Sequence, residues 1–221
     1  MHLSRGLAAI LVGGSVLVAG GCSTAPPPPP IMAAPAEFTP LGLGAAYLRS
    51  DVISGSKARS AKMRVAKIRP LGMAAAPTYM ADLETELRRQ TAGIGLDVLR
   101  VGDGLVIRIP AGLTFDAGSA AIKPQFDATL LEVARTVKTR NQTFVDVLAH
   151  TDTSGTPQVN QSLSEKRAAA VANYLGRHGV ARARVASRGY GETAPLYNPD
   201  VSESEKAANR RVEIRLMPFR A

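Results

Sequence analysis

The pattern of apolar and polar residues becomes regular after residue 78 and predicts alternating helices and strands. Residues 81–91 are rich in helix formers, and Leu83 and Leu87 lie four positions apart on one helical face. Two apolar, β-branched runs at 96–101 and 105–109 follow, joined by Gly102-Asp103-Gly104, a turn that favours a hairpin. Residues 79–112 are therefore predicted to form a helix and a β-hairpin.

From residue 113 the pattern alternates between helical and extended spacing, and it begins with a strand that ends in the loop Phe115-Asp116-Ala117-Gly118-Ser119. Pro124 suits the first turn of a helix that runs to residue 140, and an apolar strand follows at 144–149. After a polar loop at 150–158, Ser162 and Glu165 fit a capping box that begins a second helix, which Gly179 ends. A short strand is predicted at 185–188.

The last strand is predicted at 211–216, where polar and apolar residues alternate. Alternation indicates a half-buried strand with one face toward solvent, so Arg211 and Arg215 are predicted to be solvated. The element order β-α-β-α-β-β over 113–221 describes an α/β fold, a two-layer sandwich preceded by the helix and hairpin.

The first residues have the features of a secretory signal. Arg5 precedes a short apolar stretch from Leu7 to Val18, and small residues then lead to Cys22, the only cysteine of the chain. This arrangement resembles a bacterial lipobox, although Ala19 stands where leucine is usual. The resemblance implies that residues 1–21 are removed, that Cys22 is acylated, and that Ser23 directs the protein to the outer membrane. A soluble secreted protein with one free thiol is the alternative.

Two segments separate Cys22 from the regular pattern. Within residues 22–36, the run Pro26 to Pro30 favours polyproline II and would form a stiff spacer of roughly 15 Å. Residues 37–78 are basic and poorly defined by pattern. We predict a solvated, partly ordered segment there, with an arm on anionic headgroups as the alternative.

Composition excludes several classes of protein. The chain has 221 residues, of which 45% are hydrophobic, so it is too apolar to be wholly disordered. Its apolar runs are too short for a polytopic membrane protein, and one cysteine cannot form an internal disulfide or a multi-cysteine zinc site. The net charge of +9 favours an anionic partner without identifying it.

Two opposite charges are the candidate chemistry of the regular segment. Asp152 follows a predicted strand, at the edge where open α/β sheets bind ligands, and Arg167 lies about five residues into the next predicted helix. A carboxylate and a guanidinium at one rim would match a zwitterionic ligand. A surface ion pair without function fits these two residues equally well.

Several motifs carry a resemblance to a known family. They are Leu113-Thr114-Phe115-Asp116 with Ser119, His150-Thr151-Asp152, Asn160 with Leu163-Ser164 and Arg167-Ala168, Arg188-Gly189-Tyr190-Gly191-Glu192, and Asn209-Arg210-Arg211-Val212-Glu213-Ile214. In this order they resemble the OmpA C-terminal-like peptidoglycan-binding domain family. The resemblance covers about half of the chain.

The family resemblance implies a ligand and a site. The ligand is the diaminopimelate of peptidoglycan stem peptides, with Asp152 binding its ammonium and Arg167 its carboxylate. Asn160 and Arg210 either contact the ligand or brace the loop, and Asp116 is expected to tie its own loop. The implied function is a non-catalytic outer-membrane lipoprotein that tethers the membrane to the cell wall from the periplasm. A periplasmic scaffold or regulator whose main partner is another envelope protein is the alternative.

Two other function classes are less consistent with the sequence. An enzyme is disfavoured because His150, which we expect to order its turn, has no accompanying nucleophile motif. A nucleic-acid binder is disfavoured because there is no aromatic platform and no basic recognition helix. We expect no cofactor and no metal.

Overall fold

The computed structural model describes residues 56–221, which form one five-stranded sheet and six helices. In chain order the elements are α1 (Ser56–Val65), α2 (Ala76–Thr91), β1 (Asp97–Val101), β2 (Gly104–Pro110), α3 (Ala111–Thr114), α4 (Pro124–Thr139), β3 (Thr143–Ala149), α5 (Pro157–Arg177), a 3₁₀ turn (Arg182–Arg184), β4 (Val185–Gly189), α6 (Glu203–Asn209) and β5 (Arg211–Pro218). The predicted signal, Cys22 and the proline-rich linker lie outside the described residues.

The strand order is β1-β2-β5-β3-β4, and every neighbouring pair is antiparallel except β3 and β4. The predicted hairpin is present, with Val101 paired to Gly104 across a two-residue turn. Its second strand, β2, pairs with β5, so the hairpin belongs to the same sheet as the rest. Leu113 lies in α3 rather than in a strand. The first strand of the predicted β-α-β-α-β-β order is therefore β2.

One face of the sheet carries the main apolar core. Successive strand residues point to opposite faces, and Ile107, Val147 and Ile214 lie fully buried on this face. Helices α2, α4 and α5 cover it with their apolar sides. The two-layer α/β sandwich predicted from the sequence is therefore confirmed. The predicted order lacked α6, which lies between the last two strands.

The other face of β5 corrects the prediction of a solvated strand face. Arg211, Glu213 and Arg215 alternate with the apolar residues as expected, but they are 1%, 2% and 5% exposed. Glu213 Oε1 lies 2.7 Å from Arg211 Nε, and its Oε2 lies 2.6 Å from Arg215 Nη2. The opposite charges neutralise one another, which allows this polar face to be buried.

Helix α1 corrects the prediction of a solvated basic segment for residues 56–65. Lys57, Lys62 and Arg64 are exposed, but Arg59 is buried. Arg59 Nη1 lies 2.5 Å from Asp146 Oδ1 on β3, and its Nη2 donates to the Arg184 carbonyl. The charge of Arg59 therefore neutralises a buried acid of the sheet.

In residues 56–221, no helix is both long enough and apolar enough to cross a bilayer.

Candidate functional site

Asp152 lies at the edge of the sheet where β3 and β4 end and β5 begins. The segment after β3 is fixed there because the Thr151 N–H donates to the Gly191 carbonyl at 2.9 Å. The chain then turns, and Asp152 Oδ1 accepts the Ser154 N–H at 3.1 Å. The residue is 6% exposed, so its carboxylate is nearly buried. Its second oxygen, Oδ2, faces a cationic group.

Arg210 supplies the cation that contacts Asp152. Its Nη1 lies 2.5 Å from Asp152 Oδ2, and its Nη2 lies 3.5 Å from Glu203 Oε2 on α6. The Arg210 backbone is held independently, because its N–H donates to the Lys206 carbonyl and its carbonyl accepts the Ala111 N–H. The half-exposed guanidinium thus reaches over the buried carboxylate from a fixed point at the start of β5.

Arg167 reaches the same part of the molecule from the middle of α5. Its Nε donates to the Ser119 carbonyl at 2.8 Å and its Nη2 to the Asp116 carbonyl at 3.2 Å. The guanidinium carbon lies 5.1 Å from the centre of the Phe115 ring, within the range of a cation–π contact. The loop that follows α3 therefore holds this guanidinium in one orientation.

The loop itself is tied by Asp116, as the sequence predicts. The exposed Asp116 carboxylate lies 3.2 Å from Lys123 Nζ, across the loop. Its backbone carbonyl, rather than its carboxylate, contacts Arg167. Asp116 therefore acts on Arg167 through the backbone.

Asp152, Arg167 and Arg210 form a charge cluster that we call the edge triad. Burial lowers the pKa of Arg167, the negative charge of Asp152 raises it, and the positive charge of Arg210 lowers it further. The three groups are therefore within electrostatic reach of one another. The direct ion-pair partner of Asp152 is Arg210 and not Arg167. With two cations and one anion, the triad can attract an anionic group and also accept a cationic one.

The start of α5 differs from the prediction of a capping box at Ser162. The helix begins at Pro157, and the Thr156 hydroxyl caps it by accepting the Val159 N–H at 3.3 Å. A threonine cap followed by proline in the first turn is itself a strong helix start. Arg167 consequently lies in the third turn, too far from the N-terminus for the helix dipole to favour a bound anion beside it.

Asn160 braces the loop that carries Asp152. Its side-chain amide donates to the carbonyls of Asp152 and Ser154 at 3.2 and 3.0 Å. The same nitrogen lies 2.6 Å from Glu192 Oε2, in the loop after β4. Of the two roles left open for Asn160, these contacts favour bracing.

A second set of contacts that hold this loop was not predicted from the sequence. The Asp200 carboxylate accepts the Thr153 N–H at 3.1 Å and its hydroxyl, and also accepts from Asn209 Nδ2 at 2.9 Å. Burial raises the pKa of Asp200, but these hydrogen bonds outweigh burial and lower it. Asp200 lies in an irregular loop without periodicity, and nothing in the local pattern marks it. It links the Asp152 loop to the residues just before Arg210.

Close packing of α5 against the loop after β4 also shapes the site. The Ser164 hydroxyl accepts the Gly191 N–H at 2.8 Å. A Cβ at Gly189 would collide with the Ser164 hydroxyl and the Glu165 nitrogen, so only glycine fits there. Gly189 and Gly191, on either side of Tyr190, were the features of the sequence that could have predicted this contact.

His150 is an interior residue of this edge. Its ring is fully buried and stacks on the Tyr190 ring, with centroids 5.4 Å apart. Burial and the positive charge of Arg211 hold the pKa of His150 well below its usual range, so the ring is neutral at pH 7. Packing at the turn is consistent with the ordering role expected for it.

No group of three or more His, Cys, Asp or Glu side chains in residues 56–221 is placed to hold a metal ion.

Comparison with known proteins shows a similarity of the segment that forms this edge to one protein family. The model of the OmpA family matches residues 114–210. The probable lipoprotein YiaD of Escherichia coli (strain K12) is 39% identical over 141 residues, which are 64% of this chain and 64% of that protein. Outer membrane porin F of Pseudomonas aeruginosa is 38% identical over 109 residues, which are 49% of this chain and 31% of the porin. The chain thus spans less than two thirds of the length of either relative.

A solved structure is similar over 65% of this chain. The cell wall anchor of the T6SS from Pseudomonas aeruginosa is 27% identical, with a TM-score of 0.52. The similarity covers 96% of that protein's chain.

Proposed function

Because the model of the OmpA family matches residues 114–210, we propose that this chain binds peptidoglycan in the bacterial envelope without catalysing a reaction. The names of its relatives support this: a probable lipoprotein, an outer membrane porin and a cell wall anchor. The proposed ligand is the diaminopimelate residue of stem peptides. Its free end carries an ammonium and a carboxylate on one carbon.

The edge triad is the observation that carries the proposal. The Asp152 carboxylate accepts the ligand ammonium, and the Arg167 guanidinium, which is already oriented by the loop carbonyls, donates to the ligand carboxylate. Arg210 adds a second donor to that carboxylate, while Asn160 holds the loop in place. Both Asp152 and Arg167 are almost buried, so little side-chain entropy is lost when the ligand binds.

The expected affinity for a single ligand is weak. A charge-assisted hydrogen bond contributes about 1.5–3 kcal/mol, so two such contacts give roughly 3–6 kcal/mol before the cost of association. This corresponds to a dissociation constant nearer millimolar than nanomolar. Firm retention on the cell wall then depends on many ligands and on a membrane tether, which raise the effective concentration.

We further propose that Cys22 provides this tether. Acyl chains on Cys22 hold the chain in the outer membrane, and the proline run that follows keeps the domain away from the membrane surface, in the periplasm. The lipoprotein relative supports this part of the proposal. The chain then links the outer membrane to the cell wall.

Retention of the full chain on purified peptidoglycan sacculi tests the proposal. We expect the unaltered protein to co-sediment with sacculi, and both Asp152→Asn and Arg167→Met to lower the retained fraction at least about tenfold, because each removes one charged contact. Lys166→Met is the matched control, since it removes an exposed cation one residue away from Arg167. It should be retained normally.

Equal retention of all four proteins would contradict the proposed site. If circular dichroism shows the two site variants folded and they still bind sacculi, the chain contacts the wall elsewhere or through another envelope protein. The alternative of a scaffold would then be favoured.

A further inference from the structure

We propose that Arg210 makes the site select ligands that carry a carboxylate beside their ammonium. This inference rests on the proposed function and adds a specificity-determining role. Arg210 Nη1 lies 2.5 Å from Asp152 Oδ2, the oxygen that a ligand ammonium needs. Arg210 is therefore a competitor for Asp152 as well as a donor for the ligand carboxylate.

Competition follows from how little of the Asp152 carboxylate is accessible. Oδ1 accepts the Ser154 N–H at 3.1 Å, and only 8% of the side chain is exposed. A ligand ammonium and the Arg210 guanidinium therefore meet at Oδ2. Two cations at one oxygen repel each other, so binding of the ammonium weakens the contact between Arg210 and Oδ2.

The Arg210 side chain can leave Asp152 without moving the backbone, because the backbone is fixed separately. The N–H and carbonyl of Arg210 are bonded to Lys206 and Ala111, and its side chain is 37% exposed. The nearest other acid is Glu203, 3.5 Å away and 81% exposed. An exposed ion pair of this kind contributes little, so Glu203 does not replace Asp152 as a partner.

A carboxylate on the ligand gives Arg210 a new partner in place of Asp152. Held by Arg167, it lies beside the displaced guanidinium and offers it a charge-assisted hydrogen bond. Arg210 then exchanges one carboxylate for another. A ligand with an ammonium alone leaves Arg210 without an equivalent partner. Displacing Arg210 from Asp152 therefore lowers the affinity for that ligand. The site therefore requires both charges in the same ligand.

A matched pair of stem tripeptides isolates this effect. Both are L-alanyl-γ-D-glutamyl peptides with an amidated C-terminus; one ends in meso-diaminopimelate and the other in L-lysine, which lacks only the far carboxylate. Binding of each to the full chain is measured by calorimetry. We expect Arg210→Met to bind the lysine peptide about tenfold more tightly than the unaltered protein does, because the competitor for Asp152 is gone.

The diaminopimelate peptide should respond differently. Its affinity for Arg210→Met should change by less than about threefold, because the lost carboxylate contact offsets the freed oxygen. Arg210→Lys keeps a cation at Asp152, so the lysine peptide should remain weak. Arg135→Met, which removes an exposed cation on α4, should change neither affinity.

The outcomes separate this inference from the proposed function. An unchanged or weaker affinity of Arg210→Met for the lysine peptide overturns the competitor role of Arg210 and leaves wall binding intact. Equal loss for both peptides shows a structural role only and also overturns it. No binding of the diaminopimelate peptide to the unaltered protein overturns the proposed function, and this inference with it.

Discussion

Replacing Glu213 with Gln is expected to destabilise the domain by about 3–5 kcal/mol, because it leaves buried cations without their counter-charge. Glu213 lies between Arg211 and Arg215 on β5 and opposite Arg108 on β2. Burial alone would raise the pKa of Glu213, but Arg211 and its neighbours hold it well below the usual range. The carboxylate is therefore charged in the folded protein at neutral pH.

Urea denaturation of the full chain measures this effect. A loss of 3–5 kcal/mol is a large share of the roughly 5–15 kcal/mol that stabilises a typical domain. Glu132→Gln is the control, since this acid pairs with Arg135 on the exposed side of α4, and it should change stability by less than about 0.5 kcal/mol. A Glu213 variant as stable as the control would show that the ion pairs on β5 are not needed.

Arg184→Met is expected to destabilise the domain by about 2–4 kcal/mol, since it leaves several buried carbonyls unpaired. The fully buried Arg184 donates to the Val137, Arg140 and Thr143 carbonyls at 2.5, 3.0 and 2.8 Å. These bonds close the end of α4 and the start of β3. Burial lowers the pKa of Arg184 to about 10, so it remains charged at neutral pH.

The control for Arg184 lies two residues earlier in the same 3₁₀ turn. Arg182 is exposed, and Arg182→Met should leave the thermal midpoint nearly unchanged. Methionine is close to arginine in volume, so the comparison tests the hydrogen bonds rather than a cavity. If the two variants have the same thermal midpoint, the hydrogen bonds from Arg184 to the carbonyls at the end of α4 do not stabilise the domain.

Local signals were sufficient for the elements that form the core. The Asp-Gly turn at residues 102–104 located the hairpin, and Pro124 with the helical spacing after it located α4. Short-range chemistry decides these features, so one stretch of sequence contains the information. For the same reason, Thr156 and Pro157 should have been preferred to Ser162 as the start of α5.

Long-range ion pairs could not be predicted in this way. The alternating charges of β5 have the same pattern whether that face is solvated or buried, so the pattern alone does not show that Arg211, Glu213 and Arg215 are buried. Arg59 likewise lies in a basic segment, and its partner Asp146 is 87 residues away. The same limit applies to the edge triad, where the sequence placed Asp152 and Arg167 together but not the ion pair of Asp152 with Arg210.

We propose that Asp152 and Arg167 together bind the free end of diaminopimelate. Nuclear magnetic resonance of the full chain during titration with the diaminopimelate tripeptide tests it most directly. We expect saturable shifts of the Ser154 amide, which donates to Asp152, and of the Arg167 Nε–H, with one shared dissociation constant. Saturable shifts confined to other residues, with these two signals unmoved, would show that Asp152 and Arg167 do not bind the ligand.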